Sequence, residues 1–179
     1  MFAHNDNNTL IASSMDGSLS VYKLDSDPPE VEVTLKSHKR GVTDFDISVS
    51  NELVVSCSAD GTVCLWRLSS DGEPEASRLL RQVQSTCRQG LTSCRFLPCN
   101  NNLVVVGSAG GLVQLVNIST GTVTPFSSVS SPYLQAVPSG TFPVSGTSTV
   151  PGAVLCLAVD QQNDIVWVGT DRATLLSFR

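Results

Sequence analysis

A hairpin carrying glycine at its turn recurs along the chain, and it constrains the fold more than any other feature of the sequence. Four segments align: SSMDGSLSVY at 13–22, SCSADGTVCLW at 56–66, VGSAGGLVQLV at 106–116 and VGTDRATLLSF at 168–178. Asp16-Gly17, Asp60-Gly61 and Gly110-Gly111 are pairs that accept the positive φ angles of two-residue hairpin turns, so each of these segments reads as strand, tight turn, strand. The fourth has Arg172-Ala173, where a positive φ strains the side chain, and its hairpin is expected to be distorted or differently built. Five residues past the position of the turn glycine stands a bulky side chain: Tyr22, Trp66, Val116 or Phe178.

Short apolar runs feed the hairpins: Leu10-Ile11-Ala12, Leu53-Val54-Val55, Leu103-Val104-Val105-Val106 and Ile165-Val166-Trp167-Val168. Runs of this kind, without strict alternation, indicate strands buried on both faces, hence sheets stacked face to face. A further strand is expected before three of the hairpins, at 42–47, 91–96 and 154–159. Another is expected after three of them, at 31–35, 78–83 and 122–124. Four strands per repeat is a β-propeller blade. Gly17, Gly61 and Gly111 lie 44 and 50 residues apart, close to the period of about 40–45 residues for one kind of propeller repeat. The step from Gly111 to Ala173 is longer, and its excess falls in 127–152, rich in Ser, Pro, Gly and Thr, which reads as a mobile loop between blades.

The 179 residues are 41% hydrophobic, as in a globular protein with a sizeable core, and carry a formal net charge of −5. That balance gives no broad attraction to nucleic acid or to an acidic membrane. No stretch approaches the roughly 18 apolar residues of a membrane helix, and the N-terminus lacks the basic start and apolar core of a signal peptide, so an intracellular location is expected. The six cysteines show neither a C-x-x-C pair nor a zinc-ligand spacing, and Cys57, Cys64, Cys94 and Cys156 are expected to be reduced core residues. The acidic residues Asp25, Asp27, Glu30 and Glu32 flank Pro28-Pro29 without calcium-loop spacing and read as a solvated loop. Gly107-Ser108-Ala109-Gly110-Gly111 precedes a strand and not a helix, which argues against a phosphate-cradling loop. Neither metal nor cofactor is expected.

His38, followed by Val42, Phe45, the run from Val54 to Gly61 and Val63-Cys64-Leu65-Trp66, resembles a WD repeat; the other three copies are degenerate. The resemblance implies an all-β, WD-repeat β-propeller with about four blades present: blades one to three over 1–126, the first incomplete, the inserted loop at 127–152, and an incomplete fourth blade at 153–179. It also implies a buried structural tetrad of His38, Ser56, Asp60 and Trp66. Where Tyr22, Val116 and Phe178 replace the Trp, the indole hydrogen bond is lost and packing must hold the blade.

A Ser, a His and an Asp in one repeat suit hydrolase chemistry, but a catalytic serine must be exposed, and this set already has a buried structural duty. The resemblance implies instead a non-catalytic protein–protein interaction scaffold, in a nuclear or cytoplasmic complex. The alternative is a chromatin-associated reader of histone tails, against which stands an aromatic content of only 6%. A partner-binding rim is expected to include Lys39, Arg40 and Asp44. The chain has no innermost strand in evidence for its first blade and stops after the third strand of its last. It therefore reads as part of a larger propeller, with apolar end faces prone to self-association.

Overall fold

A computed structural model of the chain describes residues 1–4, 6–68, 77–87, 89–98, 100–125, 149–160, 165–173 and 175–178. Most of the inserted loop expected at 127–152, Cys99 and the side chain of Phe178 lie outside the described residues. The described chain is all β. The first sheet contains β1 (Phe2–Ala3), β2 (Asp6–Ser13), β3 (Ser18–Lys23) and β4 (Glu30–Lys36), in that spatial order. The second contains β5 (Val42–Ile47), β6 (Leu53–Ser58), β7 (Thr62–Arg67) and β8 (Arg78–Gln84). The third contains β9 (Leu91–Leu97), β10 (Asn100–Ser108), β11 (Val113–Asn117) and β12 (Thr122–Pro125). The fourth has three strands, β13 (Val154–Asp160), β14 (Ile165–Thr170) and β15 (Leu175–Phe178). Every pairing is antiparallel between neighbours in sequence, so each sheet is an up-and-down meander and each blade is one stretch of chain.

Three apolar joints hold the sheets in sequence order. Ile11, Leu19, Val21 and Leu35 of the first sheet meet Val42, Phe45, Ile47, Val54 and Trp66 of the second. Val55, Cys57, Val63 and Val83 of the second meet Leu91, Cys94, Phe96, Val104 and Val116 of the third. Leu97, Val105, Val113 and Leu115 of the third meet Val154, Leu157, Val166 and Val168 of the fourth. Fully burying one such side chain is worth about 1.5–3 kcal/mol, so the joints dominate the fold's stability.

Four expectations need correction. The first sheet does have an innermost strand, the short β1, in which Phe2 pairs with Leu10. The fourth hairpin is built like the others: Ala173 adopts φ +53°, and Gly169 pairs with Leu175 across five residues just as Cys57 pairs with Val63. Burial on both faces holds for the central sheets but fails at the ends, where Ala12 is exposed and Trp167 is 36% exposed. Cys156 is likewise exposed, on the outward face of the fourth sheet.

Candidate functional site

The connection from β4 to β5 carries His38, Lys39 and Arg40, and the second sheet is built to hold it. Asp60-Gly61-Thr62 turns the β6–β7 hairpin: the Asp60 carboxylate accepts from the Thr62 amide at 2.8 Å and from the Thr62 hydroxyl at 2.6 Å. Its other oxygen accepts from the Lys39 amide at 2.7 Å. Below, Trp66 Nε1 donates to Ser56 Oγ at 2.9 Å, and Ser56 Oγ lies 2.7 Å from His38 Nε2. His38 Nδ1 lies 2.8 Å from Thr62 Oγ1. The Thr62 proton is already given to Asp60, so His38 Nδ1 must donate to the threonine, and its Nε2 must accept from Ser56. One directed chain results, Trp66 to Ser56 to His38 to Thr62 to Asp60, and a neutral imidazole satisfies every link.

The structure thus brings together His38, Ser56, Asp60 and Trp66, but His38 and Asp60 meet chiefly through Thr62; their direct approach is 3.7 Å. Thr62 was not singled out from the sequence, although Asp16-Gly17-Ser18 carries the same signal. There the Ser18 hydroxyl donates to Asp16 at 2.6 Å. Burial pushes the His38 pKa below its ordinary value of 6.5, against the pull of the Asp60 carboxylate. Burial also tends to raise Asp60, but hydrogen bonds from Thr62 and the Lys39 backbone outweigh it and hold the carboxyl below the usual range. Burial pushes the neighbouring Cys64 thiol up to about 12. With Ser56 fully buried and its hydroxyl engaged by indole and imidazole, this set has no exposed nucleophile to offer.

What the network presents to solvent is the loop above it. Ser58 Oγ donates to the Arg40 carbonyl at 3.1 Å, and Gly41 accepts from the Ala59 amide at 3.2 Å. Gly17 of the preceding hairpin, at φ +87°, abuts the same loop; a Cβ there would lie 2.5 Å from the His38 carbonyl oxygen. The backbone of 38–41 is therefore fixed from both sides, while the side chains of Lys39 and Arg40 stand exposed.

Asp44, expected beside them, is engaged with the third sheet. Its carboxylate accepts from Ser93 Oγ and Arg95 Nη1, both at 2.6 Å, and from the Cys94 amide at 3.2 Å. Asp46 accepts from the Phe96 amide at 2.9 Å, and burial raises its pKa. These acids clamp β5 to β9 across the joint between the second and third sheets. Burial disfavours the charge on Arg95, but the carboxylates of Asp44 and Asp46 prevail and raise its pKa.

The third sheet also departs from expectation, because packing alone does not anchor its loop. Gln114 is buried, its oxygen accepting from Ser85 Oγ and its amide nitrogen donating to Thr86 Oγ1. Among the described residues no group of three or more His, Cys, Asp or Glu could hold a metal ion. No helix among them is long and apolar enough to cross a membrane.

Comparison with known proteins places this geometry. Residues 29–67 match the family described as WD domain, G-beta repeat, a span covering β4 to β7 and so both halves of the network. A bromodomain and WD repeat-containing protein of Dictyostelium discoideum is 33% identical over 47% of this chain and 4% of its own length. Actin-related protein 2/3 complex subunit 1 of Saccharomyces cerevisiae is 27% identical over 60% of this chain and 27% of its own. Topless-related protein 1 of Arabidopsis thaliana is 32% identical over 51% of this chain and 8% of its own. The chain thus spans no more than 27% of the length of these relatives. The second sheet thus carries a match to a WD repeat, and the four stacked antiparallel meanders form an all-β fold consistent with about four blades of that kind.

Proposed function

We propose that the chain is a non-catalytic protein-interaction platform whose rim at Lys39 and Arg40 contacts a partner in a nuclear or cytoplasmic complex. The carrying observation is the pinned loop: its backbone is held by Asp60, Ser58 and the Gly17 hairpin, while two cationic side chains project from it. A rigid loop loses little conformational entropy on binding, which favours affinity from few contacts. The partner surface that suits two adjacent cations is acidic. One relative bears the name of a subunit of a multi-protein complex, which agrees with a scaffold role.

The test is charge reversal. K39E/R40E should lower recovery of at least one co-purifying protein about tenfold while leaving the melting temperature within about 2 °C, since exposed substitutions of this kind change stability by less than about 0.5 kcal/mol. Recovery of every partner at the unaltered level refutes the rim assignment. The reading as a histone-tail reader has less support: the exposed Phe2 and Trp167 lie on different sheets, the first and the fourth.

A further inference from the structure

The pairings Ser13 with Leu19, Cys57 with Val63, Gly107 with Val113 and Gly169 with Leu175 put the four hairpin tips in one register. The first tip position then carries Ser14, Ser58, Ser108 or Thr170, and the second carries Met15, Ala59, Ala109 or Asp171. Residues at the second position meet the loop that leads into the next sheet. A Cβ on Gly41 would lie 3.2 Å from Met15 Cα, and one on Gly90 would lie 2.9 Å from Ala59 Cα. Backbone atoms close both contacts, so packing does not call for the long side chain of Met15. That side chain is 86% exposed, the most exposed large apolar group among the described residues.

A single exposed apolar side chain means little by itself. Its neighbours give this one significance. Lys39 and Arg40 stand on the loop that Met15 abuts, and neither forms an ion pair among the described residues. Asp16 is paired with Lys36 at 3.3 Å, and the Asp60 carboxylate is taken up by Thr62 and the Lys39 amide. The charge turned outward here is therefore positive, on a chain of formal net charge −5. The joint beneath lies between the first and second sheets, and Ser14 itself accepts from the Val42 amide at 3.0 Å.

We infer that Met15, Lys39 and Arg40 form one recognition surface for an acidic peptide segment that carries an apolar side chain. Its carboxylates pair with the two cations, and its apolar group packs on the Met15 thioether, a flexible and polarizable chain that adapts to varied shapes. The pinned backbone holds the cations in place beforehand. The acidic remainder of the protein repels such a segment, which fixes where it docks. This deepens the platform reading, on which it rests, by naming the partner's chemistry and adding the first hairpin to the site.

Selection of random peptides displayed on phage against the immobilised chain tests it, with fluorescence polarisation to measure the recovered sequences. Enrichment of adjacent Asp or Glu residues with a Leu, Ile, Met or Phe close by is the expected result. Met15→Ala gives the first hairpin the residue that the second and third carry, so folding should be unaffected. It should weaken the recovered peptides about fivefold, and K39E/R40E should weaken them at least about tenfold. Replacing the apolar residue of a peptide by Ser should cost as much against wild type and little more against Met15→Ala, the coupling expected of groups in contact. If K39E/R40E weakens binding and Met15→Ala does not, this inference falls and the cationic rim stands. Acidic peptides bound equally by all variants sink both. A selection that yields no acidic peptides, or an oligothymidine bound more tightly than any of them, also overturns the inference.

Discussion

The second and third sheets each anchor the loop that enters their own innermost strand, with different chemistry. In the second, five side chains form a directed chain from Trp66 to Asp60, and the loop contributes His38. In the third, Gln114 reaches from the sheet to Ser85 and Thr86 of the loop, and the Cys87 thiol of the loop donates to Ser108 Oγ at 3.4 Å. Each solution spends its polar groups on partners, because an unpaired polar atom at that depth costs about 1–3 kcal/mol. What a blade of this chain needs is a satisfied polar tie between the loop entering its innermost strand and its central strands. An indole is one way to make it. The fuller network also fixes the loop backbone directly, because the Lys39 amide donates to Asp60.

The contrast can be broken at several points. Trp66→Ala should have the largest effect, about 3–5 kcal/mol, because it opens a cavity in the joint to the first sheet as well as removing a donor; chemical denaturation measures it, and a loss under about 1 kcal/mol contradicts the central role of the network. Gln114→Leu should cost about 1–3 kcal/mol by leaving the buried Ser85 hydroxyl proton without an acceptor. If it proves neutral in the same assay, the third sheet relies on packing after all. Thr62→Val should cost somewhat less, about 1–2 kcal/mol, and should release the Lys39 amide to faster hydrogen exchange as Asp60 loses its orienting partner. An unchanged exchange rate there would show the direct His38–Asp60 approach to be sufficient.

The smallest effect is that of pH. The folded pKa of His38 lies below 6.5, so between the two values the unfolded chain binds a proton that the native chain does not. Stability is therefore full above the unfolded pKa and declines as pH falls below about 6.5, by at most about 1.4 kcal/mol per pH unit for one proton. His38→Gln should flatten the decline between pH 6.5 and 5.5 relative to wild type, while lowering stability at pH 7.5. Parallel curves for the two proteins would assign the decline to other groups.

Much of this was legible beforehand because it is local. The hairpins follow from Asp-Gly and Gly-Gly pairs, and the strands from apolar runs bounded by turn residues. The tetrad followed from resemblance, while Thr62 was missed because its role arises from the order in which hydroxyls donate, which spacing does not reveal. Asp44 was expected at a rim because the resemblance places polar residues near the start of an innermost strand there. Its true partners, Ser93, Cys94 and Arg95, lie about fifty positions away in the chain and meet it only when the sheets stack. Gln114 looked like an ordinary strand residue for the same reason.

Sequence by itself determined the number of hairpins, their turns and the register of side chains along each strand, since these depend on φ preferences and on a two-residue alternation within a few neighbours. Tertiary structure decided the rest. It skipped Thr43, Thr92 and Leu155 from the ladder at the same point of three innermost strands, drove Ala173 to a positive φ, and turned Asp44 into a clamp. The energies that settle such choices come from contacts between sheets, and those contacts exist only once distant segments have been brought face to face.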